Sequence, residues 1–124
     1  MTQYYQIWDV IPGKDVRATV ECVIDDWEGF RVLLRDHTTD RVFRINFGSH
    51  VAYINRDESD LDGEAARSNG LGRGCFYRVQ ASEFEARFKS DSARRFDNLK
   101  HFAIITDTDC IDVLATDEPV VDQL

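Results

Sequence analysis

A run of closely spaced acidic side chains is the first candidate for chemistry in this sequence. Glu58, Asp60 and Asp62 stand at alternate positions ahead of Gly63. A calcium loop places oxygen ligands at its first, third and fifth positions, a glycine at the sixth and a bidentate Glu at the twelfth. Here the first residue is Glu where Asp is usual, and the twelfth is Asn69. The spacing therefore predicts no specific calcium site, and we expect neither a metal nor another cofactor.

A glycine-rich stretch and three histidines are the other candidates. Residues 70–74 contain three glycines, but a phosphate cradle needs a strand before it and a helix N-terminus after it, whereas a strand is expected to follow. His37, His50 and His101 could each act as a base, yet no serine or cysteine stands on a recognisable elbow or helix N-terminus. The sequence predicts a flexible loop and a protein that is not an enzyme.

Two acidic segments are predicted to form a surface that binds a partner protein. Loops at the edge of a rigid sheet can present carboxylates that steer a basic partner, and tyrosines near them could anchor it. The alternative is that both segments are simply solvated loops of an acidic protein. The candidate partner-binding residues are Asp57, Glu58, Asp60, Asp62, Glu64, Asp107, Asp109, Asp112, Tyr53 and Tyr77.

Three runs of alternating apolar and polar residues between Val16 and Phe47 are expected to organise the fold. Their period of two predicts half-buried strands, and the polar breaks between them are too short for a parallel crossover. The three runs are therefore predicted to form an antiparallel meander. A strand over residues 4–11, ended by Pro12 and Gly13, is predicted to form a hairpin with the first run. The inward positions are Val16, Ala18, Val20, Cys22, Ile24, Phe30, Val32, Leu34, Phe43, Ile45 and Phe47.

An amphipathic helix is predicted from Ser82 to about Leu99. Ser82 and Glu85 have the spacing of a capping box, and an apolar stripe follows at helical spacing. We expect this stripe to cover the apolar face of the sheet. Residues 90–92 have poor helix propensity and could divide the helix in two. The stripe consists of Phe84, Phe88, Phe96 and Leu99.

The remaining segments complete the predicted fold. Residues 50–55 favour a short strand, residues 56–74 a long exposed loop and residues 75–80 a strand. Residues 101–106 and 110–115 predict a hairpin at the centre of the sheet, after which an acidic tail leaves the core. We therefore predict one α+β domain over residues 1–124, an antiparallel meander sheet with one main amphipathic helix packed on one face.

Composition and charge narrow the class of protein. The chain of 124 residues is 43% hydrophobic and carries a net charge of −8, which argues against nucleic acid or an anionic membrane as partner. Acids outnumber bases at both ends, while the middle is basic. With neither a leader nor a membrane-spanning apolar run, a cytoplasmic protein is expected. Three cysteines far apart predict reduced core residues; they are Cys22, Cys75 and Cys110.

The last half of the chain resembles small bacterial proteins that include immunity proteins of secreted polymorphic toxins. The similarity rests on residues 75–79, Ser82, Phe84, residues 101–106 and 110–114, and Glu118-Pro119. It implies a cytoplasmic protein that neutralises a cognate toxin by stoichiometric binding, and it brings no catalytic residues. The acidic surface independently suits a basic toxin as the partner. The alternatives are a general interaction or regulatory domain, and a small ligand-binding or enzymatic domain that uses a pocket between sheet and helix.

Overall fold

Two antiparallel sheets make up most of the structure. The computed structural model describes residues 2–8, 17–61, 63–72 and 74–124. Helix α1 spans Gly63–Ser68 and helix α2 spans Glu83–Asp91. The larger sheet has the strand order β1-β6-β7-β8-β5 and the smaller sheet β2-β3-β4-β9. The strands are β1 (Tyr4–Ile7), β2 (Ala18–Asp26), β3 (Gly29–Asp36), β4 (Val42–Phe47), β5 (His50–Asp57), β6 (Phe76–Gln80), β7 (Lys100–Ile105), β8 (Asp109–Ala115) and β9 (Val120–Gln123).

The predicted meander is confirmed as β2, β3 and β4. Val32 pairs with Val23 on one side and with Ile45 on the other, so these three side chains share one face. Cys22 and Ile24, which were predicted to share it, lie beyond a register shift and pair with Leu33 and Arg31. The turn between β2 and β3 needs the positive φ of +114° that Gly29 adopts. The final hairpin, β7 with β8, is also confirmed, as is the strand predicted over residues 50–55.

The strands at the two ends of the chain are placed differently from the prediction. Strand β1 pairs with β6, with Tyr5 opposite Val79, so it lies in the larger sheet and does not extend the meander. Strand β9 pairs with β4, with Val121 opposite Ile45, so the acidic tail does not leave the core. The expected turn at Pro12 and Gly13 lies outside the described residues.

The main core lies between the two sheets. Phe30 and Phe47 of the smaller sheet and Phe102 of the larger sheet are fully buried, and the rings of Phe47 and Phe102 are 5.7 Å apart. Face-to-face packing of two sheets covers the apolar face of the meander. The prediction of a single sheet covered by a helix was therefore wrong, because the second sheet takes the place that the helix was expected to fill.

Helix α2 is short and lies on the outer face of the larger sheet. It begins after the N-cap Ser82, whose hydroxyl accepts a hydrogen bond from the Glu85 amide, and no residue within it is buried. The helix ends at Asp91, where the poor propensity of residues 90–92 had indicated a break. Phe84, Phe88 and Phe96 are only half-buried, so they do not form the core stripe that the sequence predicted.

The segment predicted as a long exposed loop is partly folded. Helix α1 buries Ala66 in a second cluster with Tyr5 and Tyr77, on the outer face of the larger sheet. Gly70 has a φ of +100°, and a Cβ there would lie 2.2 Å from the Tyr5 carbonyl oxygen. The Tyr5 amide donates to the Asn69 carbonyl at 2.7 Å. Gly70 is therefore needed because its backbone lies too close to β1 for a side chain, and not because this segment must be flexible.

Two other expectations concern membranes and cysteines. Within the described parts of the chain, neither helix has the length and apolar character needed to cross a bilayer.

Cys75 and Cys110 are buried thiols, as predicted, whereas Cys22 is exposed on β2, since a register shift lies between Val20 and Cys22. Such a bulge changes which face the following residues occupy.

Candidate functional site

The two acidic segments predicted separately are adjacent in space. Asp57, at the end of β5, lies directly opposite Asp109, at the start of β8. The Glu58 amide continues the contact by donating to the Thr108 carbonyl at 3.1 Å. The antiparallel pairing of an edge strand with the final hairpin therefore brings two loops to one end of the larger sheet. We call this the acidic end; its residues are Asp57, Glu58, Asp60, Asp107 and Asp109.

Local hydrogen bonds fix the geometry of the acidic end. The Asp57 carboxylate accepts from the Ser59 hydroxyl at 2.7 Å and from the Ser59 amide at 2.9 Å. The same two hydrogen bonds, the hydroxyl first, hold the pKa of Asp57 below its usual value. Across the hairpin, the Thr106 hydroxyl accepts from the Asp109 amide at 3.0 Å. The carboxylates are therefore presented on ordered backbone.

The acidic end has no close ion pair with the residues that the structure describes. Asp57, Asp60 and Asp107 are exposed, and in the described part of the chain none of the five carboxylates forms an ion pair. Nor do any three His, Cys, Asp or Glu side chains among the described residues converge as metal ligands. Asp62, the fifth position of the calcium pattern, lies outside the described residues. What the arrangement offers is a spread of negative charge.

The other predicted partner-binding residues are dispersed. Glu64 is exposed on α1, and Tyr53 is 37% exposed while its ring stacks on Phe30 at 4.1 Å. Tyr77 is completely buried and Asp112 is 5% exposed. Both side chains lie inside the fold on the outer face of the larger sheet, and their contact with a partner stays a prediction.

A buried polar chain that the sequence did not reveal runs along that face. Nε2 of His101 lies 2.7 Å from Oδ1 of Asp112, and Nδ1 of His101 lies 2.6 Å from the Ser82 hydroxyl. All three residues are at most 5% exposed. His101 and Asp112 occupy neighbouring strands β7 and β8, two positions apart in register. Only the strand pairing brings them together, although the polar Asp112 within an apolar strand was a signal.

The order serine, histidine, carboxylate is that of a hydrolase triad, but the surroundings do not suit catalysis. The Ser82 hydroxyl already accepts from the Glu85 amide at 3.0 Å as the helix N-cap. Ser82 is 4% exposed, so a substrate carbonyl could not reach its oxygen. The chain joins the start of α2 to the two central strands and gives its buried polar groups hydrogen-bond partners.

A pocket of about 380 Å³ opens beside this chain, between α2 and the outer face of the larger sheet. We call it the α2 pocket. Tyr5, Ile54, Phe84 and Phe88 give it apolar walls, and His101 and Asp112 lie in its floor. The Arg56 guanidinium donates through Nη2 to Asp112 at 3.4 Å. Its Nε is buried and has no hydrogen-bond acceptor among the described residues.

Comparisons with known proteins give no family assignment. No family model, no curated protein and no solved structure matches the chain.

Proposed function

We propose that this chain is a binding protein of the immunity type, which neutralises a basic toxin in the cytoplasm by stoichiometric association. The observation that carries the proposal is the pairing of Asp57 with Asp109, which joins two acidic loops into one surface. A basic toxin would meet five carboxylates at the acidic end of the larger sheet. Such a field raises the association rate and discriminates against acidic proteins.

The cost of the arrangement supports a role in binding. Like charges directly opposite each other across an antiparallel ladder destabilise the pair. Each of the two carboxylates accepts hydrogen bonds within its own loop, but neither has a cation beside it among the described residues, and a basic partner would supply one. The half-exposed ring of Tyr53 lies on the same edge strand. It is a candidate anchor residue for the partner, because aromatic side chains contribute binding affinity that surface charge alone does not.

A catalytic role is the less favoured alternative. The chain of Ser82, His101 and Asp112 has its serine engaged as a helix cap and lies away from solvent. A general interaction domain with no toxin partner uses the same surface and differs only in the identity of the partner. The neighbouring gene distinguishes the two, because an immunity protein is expected beside a gene for a secreted toxin.

The test is co-purification with the product of the neighbouring gene, followed by kinetics. We expect a one-to-one complex, and we expect reversal of Asp57, Asp60 and Asp109 to Lys to slow association by about tenfold or more at low salt. The difference should shrink as ionic strength rises, because screening removes steering. Absence of any complex would refute the immunity role.

A matched control comes from the opposite end of β8. Asp117 is exposed there, and Asp117→Lys changes the net charge by the same amount as one reversal at the acidic end. Its association rate should stay close to that of the wild type, apart from the small effect of overall charge. Equal slowing by this control and by a single reversal, Asp57→Lys, would show that net charge and not the acidic end governs binding.

A further inference from the structure

We propose that the free edge of β5 pairs with the β5 edge of a second copy of this chain, so that two larger sheets join across a two-fold axis at Ile54. Strand β5 is the last strand of the larger sheet, and no described residue forms a backbone hydrogen bond to its outer side. The inference does not depend on the proposed function, because the loops of the acidic end lie beyond the paired segment. The ring of Tyr53 stacks on Phe30, whereas the pairing uses the Tyr53 backbone.

The strand register shows which backbone groups of β5 point outwards. The Glu58 amide donates to the Thr108 carbonyl directly opposite it. Bonded and non-bonded positions alternate along an antiparallel ladder, so Ile54 also bonds to β8, while Tyr53 and Asn55 turn their N–H and C=O groups to the free edge. Both of these residues are exposed. Two donors and two acceptors are therefore open to another strand.

The other three edge strands carry features that oppose pairing. Strands β1 and β9 have only four residues each, and the outward amide of Tyr5 in β1 already donates to the Asn69 carbonyl. Strand β2 has a bulge within its length and three acidic residues. In β5 the bulge lies at the very start, and residues 52–55 are uncharged and regular. Short length, bulges and charges are the usual protection of an edge, and residues 52–55 lack all three.

This segment of β5 is complementary to itself. A two-fold axis at Ile54 places Tyr53 of one copy opposite Asn55 of the other, which joins their outward groups in two hydrogen-bonded pairs. Ile54, which is 44% exposed, then lies directly opposite its own counterpart and loses contact with water. Arg56 comes to lie opposite Ala52, so no like charges face each other.

The two acidic ends lie far apart in this arrangement. The axis separates Asp57 from its counterpart by six residues along the strands, about 20 Å, which is about twice the Debye length at physiological ionic strength. Each copy nevertheless carries a net charge of −8, which opposes association over the whole surface. Dimerisation should therefore strengthen as salt is added, opposite to the salt effect expected for a basic partner at the acidic end.

Sedimentation velocity of the unmodified chain tests for the dimer. The paired segment is short, so we expect a monomer–dimer equilibrium with a dissociation constant on the order of 10–100 µM, which a series from about 1 to 500 µM resolves. The dimer fraction should rise between about 0.05 and 0.5 M salt. A monomer at every concentration, or assembly beyond the dimer, would overturn the proposal.

A proline at an outward position tests whether the backbone of β5 forms the contact. Asn55→Pro removes an outward N–H but no bond to β8, and proline is tolerated at such edge positions. We expect it to raise the dissociation constant at least about tenfold, and Asn55→Thr, which keeps the N–H, to change it less than about threefold. Gln123→Pro is the control on the edge of β9, since Leu124 bonds to β4 and its neighbour Gln123 points outwards. Equal weakening by Asn55→Pro and either other variant would refute the pairing.

Disulfide cross-linking tests the register and does not depend on the proline variant. In a Cys22→Ser background, Ile54→Cys places two thiols on residues directly opposite each other, about 4.5 Å apart at Cα, within the range of a disulfide. We expect Ile54→Cys to form an intermolecular disulfide under mild oxidation faster than Asn55→Cys, whose counterpart is displaced by two residues. Faster cross-linking through position 55 would contradict an axis at Ile54.

Discussion

Asp57 lies directly opposite Asp109 in the β5–β8 ladder, although both are carboxylates and neither forms an ion pair among the described residues. An antiparallel sheet ordinarily places opposite charges or apolar residues in such a position. Because the strand register places the two acids together, neither loop can move away without breaking the ladder. The acidic end is therefore a fixed property of the sheet.

Removal of this repulsion should stabilise the folded protein. Asp109→Asn keeps the size of the side chain and removes one of the two charges, so the midpoint of thermal unfolding should rise by about 1–4 °C. Asp107→Asn is the control, because Asp107 follows β7 in the turn and has no partner in the β5–β8 register. A lower midpoint for Asp109→Asn than for the wild type would mean that this pair does not cost stability.

The buried chain of Ser82, His101 and Asp112 should be essential for folding. Asp112→Ala leaves His101 Nε2 and Arg56 without their acceptor in the protein interior, and we expect a loss of about 3–5 kcal/mol in the free energy of unfolding. Ser82→Ala removes a helix cap and one partner of His101, with an expected loss of about 1–2 kcal/mol. Urea denaturation measures both. A stable Asp112→Ala protein with altered partner binding would assign Asp112 a functional role.

Aromatic truncations separate the two-sheet core from the helix. Phe102 is completely buried between the sheets, so Phe102→Ala should cost about 3–5 kcal/mol. Phe88 on α2 is half-buried, and Phe88→Ala should cost only about 1 kcal/mol, in proportion to the apolar area that it covers. Comparable losses for the two variants would indicate that α2 contributes to stability as much as the sheet interface does.

Cysteine reactivity should distinguish the exposed thiol from the buried ones. Burial raises the pKa of the Cys110 thiol from 9.0 to about 12 and also raises that of Cys75, so both remain protonated and inert near pH 8. In the native protein we expect a thiol reagent to modify Cys22 alone, and all three cysteines in denaturant. Cys22→Ser should abolish the native reaction, and rapid native labelling of Cys110 would contradict its burial.

Alkaline conditions should destabilise the protein through the same groups. Tyr5, Tyr77, Cys75 and Cys110 all have pKa values raised by burial. Above about pH 9 the unfolded chain releases these protons while the folded chain retains them, so the free energy of unfolding falls as pH rises towards 12. Denaturation at a series of pH values measures the slope. Cys110→Ala should flatten the slope between pH 9 and 12.

The sequence predicted individual strands better than their arrangement. Alternation at Phe30, Val32 and Leu34 is a local signal, and the short breaks between runs determine which neighbours pair. No local signal places β1 beside β6 or β9 beside β4. The helix was predicted too long because a stripe of phenylalanines has the same spacing whether it faces a core or the rim of a pocket.

The candidate site was predictable only in part. The acidic residues of the two loops could be identified from composition, but their contact through Asp57 and Asp109 follows from a pairing between distant segments. Tyr77 was predicted as a surface anchor, but a tyrosine in a strand can face either way, and its hydroxyl here donates to the Gly74 carbonyl at 2.7 Å inside the fold. His101 and Asp112 carried no motif, since the two residues meet only across β7 and β8.

The position of the edge strands affects how fast the protein can fold. Tyr4 pairs with Gln80 and Phe43 with Gln123, so each sheet acquires one of its edges only after a very long loop has closed. The meander and the final hairpin need short loops alone and can form within microseconds to milliseconds. Until β1 and β9 dock, the edges of β6 and β4 remain open to strands of other chains. The slow closure of these two loops is therefore the period in which the chain is most exposed to misassociation.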